Sequence, residues 1–216
     1  MIFFCLSVSH LFSAIIDLSI FEKGLYSKHG EDGIISKIFQ CMSKESKTYV
    51  EIGSGNGVIK SNISLLRLQG WKGVSFDRLQ ERGEIGLYKE FITRENISDL
   101  LRDYGVSKEI GVLSIRLKYN SYHIWDGIDS KYRPAVVVVR YNKDYSSEED
   151  QVVKYRPFFC GSPHCEFGAG IFSFRRLGAE KGYTLVYVET SLENLFFIRN
   201  DLIDKYQLGF KSVSSN

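Results

Sequence analysis

The sequence predicts one compact α/β domain with a mainly parallel central sheet and a C-terminal antiparallel hairpin. Three observations support this prediction. Short β-branched runs alternate with helical patterns from Thr48 onward, a glycine-rich loop follows the first run, and two apolar runs near the C-terminus flank the polar segment 189–194. Alternation of this kind is typical of βαβ units, whose strands run parallel. The 216 residues suffice for one sizeable core but are short for two.

The apolar pattern predicts the individual elements in chain order. Strands are predicted at residues 48–52, 72–76, 87–92, 110–115 and 135–139, helices through Leu65, Leu66 and Leu68, at 95–104 and at 172–181, and a closing hairpin at 183–188 and 195–198. The run 135–139 is almost entirely β-branched, as expected of a strand buried on both faces. The polar segment 143–154 is predicted to be a solvated loop or lid.

Composition and charge restrict the class of protein. The formal net charge of +2 is too small for a general nucleic-acid-binding surface, and no run reaches the roughly 18–20 apolar residues of a membrane span. Residues 1–46 are predicted as an N-terminal helical segment covering the site, and 47–216 as the sheet domain. The apolar stretch 2–16 fits a helix packed on the domain or a signal peptide; the absence of a basic n-region favours a cytoplasmic location.

The four cysteines are Cys5, Cys41, Cys160 and Cys165. They are too few for a disulfide scaffold and lack paired CxxC spacing. Together with His164, the last two place three zinc-type ligands in one loop, but a structural zinc site needs four. We therefore predict no metal site and expect either a reactive thiol or an inert loop.

Three glycines alternate directly after the first strand, at Gly53, Gly55 and Gly57. Without a Cβ, this glycine loop can turn sharply and approach a ligand closely. A dinucleotide-binding loop would place its third glycine at Val58, which disfavours a nicotinamide-dependent oxidoreductase. Asp77 ends the second strand about 20 residues later, where a Rossmann-type site needs a carboxylate for the ribose hydroxyls. The alternative is a tight turn with Asp77 as a helix N-cap.

Further motifs lie on both sides of the glycine loop. They are YSKHGEDG at residues 26–33, VEIG at 50–53, GVSFD at 73–77, ENI at 95–97, Trp125, YN at 141–142 and EKGY at 180–183. With these motifs and its GxGxG spacing, the chain from residue 26 to about residue 200 resembles the FkbM-type S-adenosylmethionine-dependent methyltransferases.

The resemblance implies a Rossmann-like class I methyltransferase fold that binds S-adenosylmethionine. It also implies methyl transfer to an oxygen of a small or glycosidic acceptor, which the sequence does not identify further. By this resemblance, Glu51 and the glycine loop would hold the methionine end of the cofactor, and Asp77 would hold the ribose. Ile92 or Thr93 would lie near the adenine, and Asp32 would lie in a helix covering the site.

This chain departs from the resemblance at the ends of two central strands. Relatives carry an acidic Asp-x-Asp-Gly or Asp-x-Glu-Gly turn after the fourth strand, where this chain has Arg116, Leu117 and Lys118. The fifth strand often ends in an acidic residue, where this chain has Arg140. One hypothesis, which we favour, is a pseudoenzyme whose catalytic site has decayed. The other is a site in which Arg116, Lys118 and Arg140 bind a phosphate or carboxylate, unless each points to solvent.

Three side chains are candidates for a general base if methyl transfer is retained. They are His29, His123 and Asp32, because imidazole titrates near neutrality and a carboxylate accepts protons. A structural role is the alternative for each histidine. Methyl transfer does not require a metal, because an aligned nucleophile and an activated sulfonium supply most of the rate.

Overall fold

The computed structural model describes residues 15–158 and 167–213. The helices are α1 (Glu31–Cys41), α2 (Ser64–Leu68), α3 (Ile97–Asp103), α4 (Ser121–Gly127), α5 (Ile171–Glu180) and α6 (Asn200–Tyr206). The strands are β1 (Ile15–Ile16), β2 (Thr48–Ile52), β3 (Lys72–Asp77), β4 (Leu87–Lys89), β5 (Val112–Ile115), β6 (Val136–Arg140), β7 (Tyr183–Val188), β8 (Asn194–Arg199) and β9 (Gly209–Phe210). Two 3-10 turns lie at Leu18–Phe21 and Gly83–Ile85.

Seven of the described strands form one sheet in the order β4-β3-β2-β5-β6-β8-β7. All neighbours are parallel except β8, which is antiparallel to both β6 and β7. The predicted α/β class, with a mainly parallel sheet and antiparallel strands near the C-terminus, is confirmed. After β2 the chain adds β3 and β4 on one side of β2, and it then adds β5 on the opposite side. Strands β2 and β5 therefore form a topological switch point, where open α/β sheets bind ligands beyond the carboxyl ends of the strands.

Both faces of the sheet are covered, so the core has two layers. Val137 and Val139 pack in one layer with Phe174 of α5, whereas Val136 and Val138 pack in the other with α1 and α2. Successive side chains of a strand point to opposite faces, so a strand buried on both faces is apolar throughout. This explains why β6 has four consecutive valines.

The structure differs from the predicted elements in several places. Strand β4 ends at Lys89 rather than at residue 92, because the chain turns toward α3 and Asn96 Nδ2 donates to the Phe91 carbonyl. Helices α4 and α6 were not predicted. The predicted lid is joined at Val152 and Val153 to the segment before α5, through a β-bridge and a backbone hydrogen bond.

The N-terminal prediction and the cysteine predictions are only partly covered by the described residues. Strand β1 pairs in parallel with β9, so the last two residues of the apolar stretch 2–16 form a strand rather than a helix. The rest of that stretch, including Cys5, and the loop with Cys160, His164 and Cys165 lie outside the described residues. Cys41 is a free thiol. None of the helices in the described part of the chain has the length and apolar character that a membrane crossing requires.

Candidate functional site

A buried row of polar side chains interrupts the apolar centre of the sheet near the switch point. Glu51 in β2 is in register with Ser75 of β3 and Ser114 of β5, and all three residues are fully buried. Partners in register point to the same face of a sheet. Since Tyr49, two residues before Glu51, packs with α1 and α2, this row faces those helices.

Two residues further along each strand, a second polar row lies on the same face, at the carboxyl edge. Its members are Asp77, Gly53, Arg116 and Arg140 from β3, β2, β5 and β6. The ladder continues to this level, because Gly53 N–H donates to the Phe76 carbonyl and Arg116 N–H to the Ile52 carbonyl, both at 2.8 Å. Neighbouring strands are about 4.8 Å apart. The glycine loop therefore leaves the sheet between an acidic residue and an arginine.

The glycine loop has backbone conformations that favour glycine at every second position. Gly53, Gly55 and Gly57 have φ values of +75°, +60° and +70°, in the left-handed region. A Cβ on Gly53 would lie 3.0 Å from Leu117 Cδ2, and one on Gly57 would lie 3.0 Å from Ile85 Cδ1. A Cβ on Gly55 would meet no atom within 4 Å. Gly53 and Gly57 are thus closely packed, whereas Gly55 faces open space.

Asp77 ties the glycine loop to the turn after β3. Its Oδ2 accepts a hydrogen bond from Gly55 N–H at 2.9 Å, and its Oδ1 accepts from Leu79 N–H at 2.9 Å and Gln80 N–H at 3.3 Å. No helix begins at these residues, so Asp77 is not a helix N-cap. A carboxylate offers about four acceptor positions, which leaves Asp77 able to accept a further hydrogen bond.

A cleft of about 490 Å³ opens beside Asp77 and Gly55. Its lining residues are Gly55, Asn56, Ile59, Lys60, Asp77, Leu79 and Gln80. This volume is within the range of small-molecule sites, about 300–1,000 Å³. Ile59 and Leu79 are each 67% exposed, so both present apolar surface at the cleft. Neither side chain was predicted as a site residue, because an apolar residue in a loop does not by itself indicate a ligand.

Thr93 does not belong to the residues that line this cleft. Its N–H donates to Asn96 Oδ1 at 2.7 Å, and its hydroxyl accepts from Asn96 N–H at 3.2 Å. Its carbonyl accepts from Ile97 N–H. Thr93 therefore stabilises the start of α3.

Glu51 is fully buried two residues before Gly53 and is hydrogen-bonded within the protein. Its Oε2 accepts from Ser61 Oγ at 2.7 Å and its Oε1 from Asn62 N–H at 2.9 Å, while Arg116 Nη1 is 3.8 Å from Oε1. Burial raises the pKa of Glu51, although Arg116 and the two hydrogen bonds oppose that rise. Glu51 thus anchors the segment that leads into α2.

The three basic residues at the strand ends have separate surroundings and do not converge on one point. Arg140 Nη2 lies 3.2 Å from Glu193 Oε2, whereas Lys118 Nζ lies 4.5 Å from the centroid of the Phe167 ring. Arg116 faces Glu51 instead. In the described structure, Arg116, Lys118 and Arg140 therefore form no common anion site.

Glu193 is the centre of a cluster of opposite charges in the turn between β7 and β8. Besides Arg140, it contacts Lys28 Nζ at 2.8 Å and His29 Nε2 at 3.4 Å. Burial opposes ionisation of Glu193, but the hydrogen bond from Lys28 and the charges of Arg140 and Lys28 outweigh it and lower its pKa. The arginine at the end of β6 is thus paired with a carboxylate on the adjoining hairpin.

Asp32 is fully buried and organises the turn before α1. Its Oδ2 accepts from the N–H groups of Leu25, Tyr26 and Ser27 at 3.0, 2.8 and 3.2 Å. Its Oδ1 accepts from Ser27 Oγ at 2.8 Å and Gly33 N–H at 3.0 Å. These five hydrogen bonds favour a structural role over that of a general base.

The two candidate histidines lie in different parts of the fold. His29 lies in the Glu193 cluster at the carboxyl edge. His123 is buried, with Nε2 2.8 Å from the Val153 carbonyl oxygen and its ring 5.1 Å from that of Tyr155. His123 therefore holds the loop that follows β6, and its contacts favour a structural role.

Some buried polar atoms near the carboxyl edge have no hydrogen-bond partner among the described residues. They are His29 Nε2, Ser54 Oγ, Asn62 Oδ1 and Ser75 Oγ. Buried polar atoms of proteins nearly always have a partner, which can be an ordered water, so these atoms are available to a ligand or to water. Among residues 15–158 and 167–213, no group of three or more His, Cys, Asp or Glu side chains is arranged to hold a metal ion.

Comparison of the sequence with models of protein families and with curated proteins finds no match. The resemblance to FkbM-type methyltransferases therefore rests on the motifs quoted above. The geometry around Asp77 and the glycine loop is an independent basis for assigning a function.

Proposed function

We propose that this chain is a methyltransferase-like protein that binds S-adenosylmethionine in the cleft beside the glycine loop. One observation carries the proposal: the Asp77 carboxylate, at the end of the strand next to β2, lies 2.9 Å from Gly55 N–H at the edge of an open cleft. A carboxylate there can accept hydrogen bonds from ribose hydroxyls, and a glycine backbone allows close approach of the ligand.

The strand order supports the same proposal. Numbered from β2, the sheet order reads 3-2-1-4-5-7-6, of which the first five strands match the doubly wound nucleotide-binding order. The antiparallel strand β8 between β6 and β7 agrees with the closing hairpin that the apolar pattern predicts. This topology supports a Rossmann-like class I methyltransferase fold.

The residues of the cleft fit the chemistry of the cofactor. Asp77 would accept from the ribose, and the exposed apolar side chains of Ile59 and Leu79 would contact the adenine in place of Thr93. Ser54 Oγ, buried without a partner, would be available to the polar end of the ligand. When bound, S-adenosylmethionine supplies an activated methyl group on a sulfonium.

Catalysis is less well supported than cofactor binding. Arg116 and Arg140 stay protonated at neutral pH and cannot act as bases, while Asp32 and His123 are engaged in internal hydrogen bonds. We therefore propose cofactor binding as the main function, with methyl transfer to a small or glycosidic oxygen as the activity to test in an acceptor screen. The alternative, an anion-binding pseudoenzyme built on three cations, is disfavoured because Arg140 and Lys118 have partners elsewhere.

The proposal is tested by titration calorimetry of the full chain with S-adenosylmethionine and S-adenosylhomocysteine, with NAD as the control. We expect saturable binding of the first two ligands and none of NAD. Asp77→Asn should weaken binding about 10- to 100-fold, the size of a lost hydrogen bond to a charged group. Absence of binding to a folded wild-type sample would overturn the proposal.

A matched variant controls for the structural role of Asp77. Asp129 Oδ1 accepts from Lys131 N–H, two residues on, at 2.9 Å, as Asp77 Oδ1 does from Leu79, but Asp129 lies outside the cleft. Asp129→Asn should leave the affinity unchanged. Thermal denaturation of both variants establishes that each is folded when it is titrated.

A further inference from the structure

Arg116 occupies an unusual position at the switch point. It follows β5 directly, and its side chain is only 19% exposed. A guanidinium carries five N–H donors, yet that of Arg116 donates no hydrogen bond to any residue in the described part of the chain. Its distance of 3.8 Å to Glu51 Oε1 is too long for a hydrogen bond.

Glu51 accepts no hydrogen bond from Arg116, because its oxygens accept hydrogen bonds from Ser61 and Asn62 instead. By contrast, Arg140 lies 3.2 Å from Glu193. A largely buried cation without a hydrogen-bonding acceptor is costly. The guanidinium N–H groups of Arg116 are therefore available to an acceptor from outside the described residues.

The glycine loop contacts the backbone of Arg116 and carries a buried hydroxyl that has no hydrogen-bond partner. A Cβ on Gly53 would lie 3.3 Å from both the carbonyl carbon and oxygen of Arg116, so the two backbones are in contact. The next residue, Ser54, is 1% exposed, and its hydroxyl has no hydrogen-bond partner. Arg116 and the Ser54 hydroxyl thus both lie at the base of the glycine loop, whose next residue, Gly55, lines the proposed cofactor cleft.

We propose that Arg116 binds the α-carboxylate of S-adenosylmethionine and thereby selects ligands with an intact amino-acid end. This inference rests on the proposed function, because it assigns a part of the same ligand. Arginine matches a carboxylate through two parallel N–H···O bonds. Asp77 and Arg116 are separated by β2, hence by about 10 Å of sheet, which suits a ligand whose ribose and carboxylate lie at opposite ends of a flexible chain. Arg116 is then a specificity-determining residue.

The test is a thermodynamic cycle of two ligands and two proteins. The ligands are S-adenosylmethionine and decarboxylated S-adenosylmethionine, which differ in the carboxylate alone, and the proteins are the wild type and Arg116→Gln. We expect the substitution to weaken binding of S-adenosylmethionine about 10- to 100-fold, as for loss of a charge-assisted pair, and to change binding of the decarboxylated ligand less than about threefold. Arg140→Gln, on the neighbouring strand, should change neither affinity.

The outcomes separate this inference from the proposed function. If the wild type binds neither ligand, the proposed function fails. If the wild type binds both equally, or if Arg116→Gln weakens both by the same factor, the role of Arg116 is refuted while the cofactor cleft stands. Should Arg116→Gln not fold, Arg116→Lys keeps the charge beside Glu51 but lacks the planar guanidinium. It should still weaken binding of S-adenosylmethionine and leave binding of the decarboxylated ligand unchanged.

Discussion

Replacing Gly55 by alanine separates the conformational requirement of the glycine loop from its contact with a ligand. Gly55 has a φ of +60°, and a Cβ there would meet no atom within 4 Å. Gly105, in the turn after α3, is a matched control, because its φ is +65° and its Cβ would also meet open space. The two substitutions therefore impose the same backbone strain, but only that at Gly55 adds a methyl group to the cleft.

The expected loss of stability follows from the left-handed backbone conformation. An L-residue in that conformation costs about 1–2 kcal/mol relative to glycine, which lowers the melting temperature by roughly 2–4 °C per kcal/mol in a chain of this size. Gly55→Ala and Gly105→Ala should agree in the free energy of unfolding, measured by urea denaturation, within about 0.5 kcal/mol. In calorimetry, Gly55→Ala should bind S-adenosylhomocysteine at least about tenfold more weakly than the wild type, a difference of about 1.4 kcal/mol. Gly105→Ala should bind it with wild-type affinity.

Two results would refute this reasoning. Wild-type affinity of Gly55→Ala would show that the ligand does not approach the loop at that position. A loss of stability much larger than that of Gly105→Ala would show that the hydrogen bond between Gly55 N–H and Asp77 is strained by the added methyl group. The glycine would then have a structural role, and its effect on binding would be indirect.

Three further predictions concern residues outside the cleft. Asp32→Ala should reduce the free energy of unfolding by more than about 3 kcal/mol, because five hydrogen bonds to a buried carboxylate are lost; a loss below 1 kcal/mol in urea denaturation would contradict this. His123→Phe should cost about 1 kcal/mol without changing cofactor affinity, and a weaker affinity in calorimetry would reinstate His123 as a site residue. Lys28 and Arg140 lower the pKa of Glu193 although burial opposes this. The ionised Glu193 carboxylate therefore stabilises the fold fully above the ordinary pKa of 4.5, and this stabilisation is lost as the pH falls through the lowered pKa of the folded protein. Acid titrations of stability between about pH 5 and 3 should therefore show a steeper loss in the wild type than in Glu193→Gln.

Most of the sheet could be predicted because its strands are short runs rich in apolar and β-branched residues, although the polar residues Glu51, Ser75 and Ser114 interrupt three of them. The predicted bounds of β2 and β7 agree with the structure. Helix α4 was missed because its polar residues Ser121 and His123 are buried together with its apolar ones, so its sequence shows no apolar stripe opposite a polar face. Helix α6 starts directly after β8, and its short apolar pattern merges with that of the hairpin.

The meeting of the glycine loop and Asp77 could be predicted because the two are close in sequence. In a parallel sheet, the loop after β2 and the end of β3 meet at one edge, so a glycine loop and an aspartate 22 residues apart come together by topology alone. The partners of the basic residues were not predictable. Glu193 is 165 residues from Lys28 and reaches it only because the hairpin folds back beside β6, which no local pattern specifies.

The two arginines at the ends of β5 and β6 differ in how closely each is paired with a carboxylate. Arg140 has a close carboxylate partner in Glu193, so it is electrostatically satisfied without any ligand. Arg116 has a looser ion pair, with Glu51 at 3.8 Å, and donates no hydrogen bond to a described residue. Replacing Arg116 leaves the buried Glu51 carboxylate without its cation, so a loss of stability is expected whether or not a ligand binds. Arg116→Met therefore distinguishes the two hypotheses by affinity: unchanged cofactor affinity in a folded variant indicates a relic site, whereas loss of affinity indicates a site that uses the arginine.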